Sequence, residues 1–207
     1  MPTPEVHAYI RAMLPPSPAK VLEIGAGNGE LAAQLRADGY DVTAIDPAGG
    51  PGVVQMPLHE VDGMFDAAVA VVSLHHVAPL EASLERLAAV LAPGARLVVD
   101  EFDIGRYDEA AARWWLSHAE HEHEPDALVA DLRAHLHPVD TIAAALRPWF
   151  DVSEPVRGAY LHRWEIGPER RGEEEELIAA GAIPATGARF IATRASRAPA
   201  ALPPRRA

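Results

Sequence analysis

Lys20-Val21-Leu22-Glu23-Ile24-Gly25-Ala26-Gly27-Asn28-Gly29-Glu30-Leu31-Ala32-Ala33-Gln34-Leu35-Arg36 is the stretch around which the other 190 residues are best read. Lys20 to Ile24 is an apolar run of strand length that ends in a glycine turn. Glu30 to Arg36 carries Leu31 and Leu35 on one helical face, and Gly39 stands where a helix C-terminus favours glycine. A glycine turn between strand and helix lets the backbone approach a ligand at the strand's C-terminal end. Glu23 is a carboxylate inside an apolar strand, which is costly unless something partners it.

Outward from this unit the same alternation continues. Asp41-Val42-Thr43-Ala44-Ile45-Asp46 reads as a second strand, followed by the loop Pro47 to Gly52 and a short strand Val53 to Met56. Phe65 to Ser73 is a valine-rich strand, Leu80 to Leu91 an amphipathic helix broken by Pro93-Gly94, and Ala95 to Phe102 another buried strand. Upstream, Val6 to Leu14 has helical spacing and is stopped by Pro15-Pro16-Ser17-Pro18. Strands apolar on both faces, alternating with helices, call for an α/β fold with a parallel sheet covered on each side. The second half predicts helices over Asp108 to about His123, Asp126 to His135 and Val139 to Leu146. A strand over Phe150 to Val156, a helix over Glu173 to Ala180 and a strand over Gly187 to Thr193 complete it. The Ala-, Pro- and Arg-rich tail from Ala195 reads as disordered.

Composition narrows the function classes. Net charge is −12 and the arginines are scattered, which disfavours a phosphate backbone as partner and favours a small molecule. No cysteine is present, so disulfides, thiolate metal sites and cysteine nucleophiles are excluded together. The N-terminus lacks the pattern of a signal peptide, and the most apolar window, Ala67 to Leu74, is far short of the roughly 20 residues that cross a bilayer. The expectation is a cytoplasmic protein with no membrane and no nucleic-acid partner; nothing in the chain specifies an oligomeric state.

Two cofactor classes use such a turn. A nicotinamide site needs Gly-x-Gly-x-x-Gly, but here the third glycine arrives one residue early and Glu30 would repel a pyrophosphate. The segment Val21 to Gly29 instead resembles the first signature of class I S-adenosylmethionine-dependent methyltransferases, an acidic residue followed by Gly-x-Gly-x-Gly. Four further segments are similar to that family in order: Asp46 ending the second strand, Phe65 to His76, Leu91 to Glu101, and Ala185 to Arg194. The resemblance implies a Rossmann-like, doubly wound, mostly parallel seven-stranded sheet with an antiparallel last strand. It implies one class I methyltransferase domain over residues 1–194, with an N-terminal helix at 1–14, a helical lid insertion at 104–147, and a tail at 195–207.

The resemblance also implies the cofactor, S-adenosylmethionine, leaving as S-adenosylhomocysteine. Glu23 is expected at the methionine amino group, with Gly25, Ala26, Gly27, Asn28 and Gly29 forming the turn. Asp46, followed by Pro47, is expected on the ribose. Met56, Pro57 and Leu58 should border the adenine, and Ser73, Leu74 and His75 the methionine end. The aspartate that many relatives place after the third strand is missing, so Gln55 or a backbone carbonyl would have to meet the adenine amine.

Methyl transfer to a small-molecule acceptor needs alignment first, and a base only if the acceptor must lose a proton. His75 and His76, just past the fourth strand, and Glu101, at the end of the fifth, are the candidate catalytic residues. His118, His121 and His123, among Glu120, Glu122 and Glu124, lack His-Glu-x-x-His spacing and read as a solvated helix end; no metal is expected. Trp114 and Trp115 suit packing or an acceptor wall. The expected activity is methylation of an O or N of a metabolite. A non-catalytic S-adenosylmethionine-binding protein and a nicotinamide-dependent oxidoreductase are the alternatives.

Overall fold

The computed structural model describes residues 3–196. Helix α1 (Pro4–Met13) begins on Thr3, whose hydroxyl accepts from the amide of Val6, and buries Val6 and Ile10. Strand β1 (Lys20–Ile24) enters the glycine turn and α2 (Glu30–Ala37) leaves it. There follow β2 (Asp41–Asp46), β3 (Val54–Gln55), β4 (Phe65–Val71), α3 (Leu80–Val90) and β5 (Leu91–Phe102). The second half holds α4 (Glu109–Leu116), α5 (Pro125–His135), α6 (Val139–Leu146), β6 (Phe150–Val152), β7 (Val156–Gly158), α7 (Arg171–Ala179) and β8 (Gly187–Arg194).

The sheet runs β3-β2-β1-β4-β5-β8-β6, with β7 also paired to β8. The pairs among β1 to β5 are parallel, and β8 is antiparallel to β5, β6 and β7. Because β1 lies between β2 and β4, the winding reverses at its C-terminal end, and a crevice opens there. Successive residues of each strand face opposite layers. Leu22, Ile24, Leu97 and Val99 pack toward α3 and α6, whereas Val21, Val69 and Val98 pack toward α1 and α2.

Several expectations are revised. The predicted strand over Phe150 to Val156 is two short strands, so the sheet of the described residues has eight strands where seven were expected. Ser153 leaves the ladder to exchange bonds with Ile191, its amide donating to the carbonyl and its hydroxyl accepting from the amide, and Pro155 has no N–H to give. Strand β5 starts at Leu91 instead of Ala95; Pro93-Gly94 makes a register shift between Phe65↔Leu91 and Ala67↔Arg96 rather than a break. Helix α4 ends at Leu116, not near His123.

The expected lid at 104–147 divides. Helices α4 and α5 join a separate cluster with Ile104, Tyr107 and Leu161, but α6 buries Val139, Ile142 and Leu146 beside α3 against the sheet. Those positions recur at helical spacing, so α6 has a full apolar face to hide. The tail expected to be disordered lies, past Ser196, outside the described residues; Ala195 itself donates to the carbonyl of Trp149. No helix among the described residues is long and apolar enough to cross a membrane.

Candidate functional site

The glycine turn takes its shape from left-handed backbone at Gly25 (φ +66°), Gly27 (φ +53°) and Gly29 (φ +79°). The three glycines serve different ends. A Cβ on Gly25 would lie 2.4 Å from the Cβ of Ser73, so the turn passes against the end of β4 with no room for a side chain. A Cβ on Gly29 would meet Val53 at 2.9 Å and the carbonyl of Pro51 at 3.0 Å, so this glycine lets the turn pack on the loop after β2. Gly27 has open space around it, and its amide donates to Asp46 Oδ2 at 3.0 Å. Asp46 Oδ1 accepts from the amide of Ala48 at 2.8 Å. The carboxylate is therefore fixed at the end of β2 with acceptor capacity left over.

Two cavities meet above this turn, both bordered by Gly25 and Val72. The first, 360 Å³, is lined by Asp46, Pro47, Met56, Pro57, Leu58 and Ser73, with His76, Ala78 and Ser83 opposite. The second, 250 Å³, is lined by Glu23, Ala26, Asn28 and Glu30, with Tyr160 and Arg163 facing them. Val72 is a β-branched residue at φ +51°, held there by its amide donating to the carbonyl of Asp100 at 2.8 Å. Strain of this kind persists only where the surroundings impose it, and here it shapes the wall common to both cavities.

Polar atoms without partners point to what these cavities take. Glu23 is 4% exposed, its Oε2 has no hydrogen-bond partner, and burial pushes its carboxyl up to about 7, against smaller opposing effects of Arg36 and the amide of Ala32. The hydroxyls of Ser73 and Ser83, on the larger cavity, are also buried and unpartnered. S-adenosylmethionine fits this donor set: an ammonium for Glu23, ribose hydroxyls for Asp46, and a flat apolar base for Met56, Pro57 and Leu58. Gln55, expected as one partner for the adenine amine, is exposed on β3 and does not line the cavity, whereas the buried hydroxyl of Ser83 does.

The candidate catalytic residues are placed unevenly. Glu101 does not reach the mouth. It is fully buried; Oε2 accepts from the amides of Ser73 (3.2 Å) and Leu74 (2.8 Å), and Oε1 lies 2.5 Å from His75 Nδ1 and accepts from the amide of Phe102 (3.2 Å). His75, 4% exposed, turns inward with it, and the Leu74 side chain lies wholly in the core, so neither borders the two cavities. This carboxylate anchors the 3₁₀ turn Leu74–His76 and leaves His76 at the rim. Burial, and then the neighbouring His75 ring 4.2 Å away, hold the His76 imidazole below its ordinary pKa.

Among the described residues, no group of three or more His, Cys, Asp or Glu is placed to hold a metal ion. His118 and His121 pair instead with Glu173 (3.3 Å) and Glu165 (2.8 Å). Trp115 is buried, stacks on Trp164 at 4.3 Å and donates to its carbonyl at 2.6 Å; Trp114 donates to Glu173. Sequence reasoning missed Val72, Ser83, Asp100, Tyr160 and Arg163. Tyr160 and Arg163 sit in an irregular segment about 140 residues beyond the turn they face, with no motif around them.

Comparison with known proteins agrees with this geometry. Residues 4–134 match the model of a family described as a methyltransferase domain. The chain is 36% identical over 97 residues to the demethylmenaquinone methyltransferase of Beutenbergia cavernae, a match covering 40% of each protein. It is 32% identical over 110 residues to a ubiquinone biosynthesis O-methyltransferase of Xanthomonas axonopodis pv. citri, covering 43% of this chain and 45% of that enzyme. The matches thus span less than half the length of these curated relatives. In fold, the chain is similar to the 1,6-didemethyltoxoflavin-N1-methyltransferase of Burkholderia thailandensis, solved with S-adenosylhomocysteine, at a TM-score of 0.54, 21% identity, and coverage of 91% of this chain and 74% of that one. With the family match covering well over half the chain, from α1 through the glycine turn to β5 and α5, the protein belongs to the methyltransferase domain family.

Proposed function

We propose that the chain is an S-adenosylmethionine-dependent methyltransferase acting on an O or N of a small-molecule metabolite. The observation that carries this reading is the unpartnered Oε2 of Glu23, buried beside the Gly25-Ala26-Gly27-Asn28-Gly29 turn, which calls for a cationic partner such as the methionine ammonium. When bound, the cofactor supplies an electrophilic methyl on a positively charged sulfur. This chain's residues do the rest. Asp46 orients the ribose, Met56, Pro57 and Leu58 exclude water from the base, and Glu101 with His75 fixes the turn that forms one wall. His76 borders the cleft as a neutral imidazole.

A small-molecule acceptor is supported by the acidic net charge and by the named relatives, a demethylmenaquinone methyltransferase and a ubiquinone biosynthesis O-methyltransferase. The test is calorimetric titration with S-adenosylmethionine, S-adenosylhomocysteine and, separately, NADH. Saturable binding of the first two and none of NADH is the expected result. NADH binding alone would return the protein to the oxidoreductases.

A further inference from the structure

Arg163 lines the methionine end of the cleft and also a third, larger cavity of 810 Å³. The floor of that cavity continues the sheet face that carries Glu23: Val71 is paired in register with Asp100, and Asp100 with Arg189. At the join, Arg163 donates to both oxygens of Asp100, at 3.0 and 3.2 Å. The 3₁₀ turn Leu161–Arg163 and its N-cap Tyr160 therefore stand where cleft and cavity adjoin, with Tyr160 on the first, His162 on the second and Arg163 on both.

His162 is 6% exposed, and its Nδ1 lies 2.7 Å from Glu174 Oε2. Glu174 is fully buried and also accepts from the amides of Tyr160 (2.7 Å), Leu161 (2.8 Å) and His162 (2.9 Å). Burial works against its charge, but the bonds from the His162 ring and these three amides outweigh it and hold the carboxyl below its usual range. The Glu174 carboxylate accepts from Nδ1–H, so in the neutral ring the lone pair lies on Nε2. Nε2 has no partner among the described residues. The arginines of the cavity are matched: Arg163 and Arg189 with Asp100, Arg171 with Glu5 and Glu175, Arg157 with Asp103. A chamber with matched charges suits a neutral ligand, and the basic atom it offers is the imidazole.

We propose that this cavity receives the methyl acceptor, a neutral molecule presenting an O–H or N–H, and that His162 is the catalytic base that removes the proton. The proposal rests on the methyl-transfer reading above. The proton passes to His162 Nε2, and the pair it leaves on oxygen or nitrogen forms the new bond to the methyl carbon. The carbon–sulfur pair departs on sulfur, and the imidazolium returns its proton to water. Glu174 is the positioning residue that fixes the tautomer. Glu101 and His75 repeat the same construction, but His75 borders none of the three cavities described here.

The test is side-chain ¹⁵N NMR of the full chain saturated with S-adenosylhomocysteine, with catechol as the acceptor probe and His162→Gln and His76→Gln to assign the signals. At pH 7, His162 should show an unprotonated Nε2 whose resonance moves on adding catechol while that of His76 stays. Glu174→Gln should remove the tautomer bias. Turnover of catechol should fall at least about 100-fold in kcat in His162→Gln, the scale of general-base removal, with cofactor affinity unchanged. A protonated Nε2, no catechol response, or a response at His76 alone overturns the proposal. Failure of S-adenosylhomocysteine to bind the wild type overturns the methyl-transfer reading itself.

Discussion

Glu23→Gln separates what this carboxylate costs the fold from what it does for the cofactor. Burial, partly offset by Arg36 and the amide of Ala32, raises its carboxyl from 4.5 to about 7 in the folded chain. Between those values the unfolded chain has released the proton and the folded chain retains it. Stability therefore falls as pH rises through the window and levels off above pH 7. The difference is worth roughly 3 kcal/mol at about 1.36 kcal/mol per pH unit. Glutamine carries no such proton, so urea unfolding without ligand should show the variant slightly favoured near pH 5 and favoured by up to roughly 3 kcal/mol at pH 8. S-adenosylmethionine reverses the ranking. Loss of a charge-assisted bond to the ammonium costs about 1.5–3 kcal/mol, or roughly 10- to 150-fold in Kd. Wild-type affinity should rise between pH 5 and pH 8, and the variant's should stay flat. A variant less stable than wild type at pH 8, or one that binds S-adenosylmethionine equally well, would refute the reasoning.

Other positions make independent predictions. Gly25→Ala places a Cβ 2.4 Å from that of Ser73 at φ +66°, so overpacking and left-handed strain together should lower unfolding stability by about 2–5 kcal/mol in a urea titration. Asp46→Ala removes the acceptor presented at the end of β2; calorimetry should show S-adenosylmethionine bound roughly 10- to 100-fold more weakly, with an unchanged circular dichroism spectrum. Glu101→Ala leaves the amides of Ser73, Leu74 and Phe102 and the His75 ring without their buried partner; a loss of about 3–5 kcal/mol in thermal unfolding is expected. If Glu101→Ala were as stable as wild type but inactive, Glu101 would be a base and not an anchor.

The first half of the chain was legible because its signals are local. A strand, three glycines and a helix follow one another within 17 residues, and the apolar period changes visibly at each boundary. The fate of Phe150 to Val156 was not, because a bulge around Ser153 depends on the facing backbone of Ile191. Nor was the early end of α4. Trp114, Trp115 and the following histidines extend a helical pattern, but His118 and His121 are drawn to Glu173 and Glu165 across the chain. Glu101 shows the same limit at the site. Its place at the end of a strand suggested an exposed acid, whereas three amides and an imidazole enclose it.

The fold class and the glycine turn between β1 and α2 rest on short-range pattern, since neighbouring residues alone dictate where a strand must stop and a backbone must bend, and the resemblance of that pattern to a family is what singled out Glu23, Gly25 and Asp46. Which side chains face one another across the cleft is another matter. Ser83 on α3, Asp100 on β5, and Tyr160, His162 and Arg163 on one distant turn become neighbours only when the sheet closes over its crossovers. Such contacts depend on packing and register summed over the whole molecule, and one residue of slip in any strand would turn its entire set to the other face.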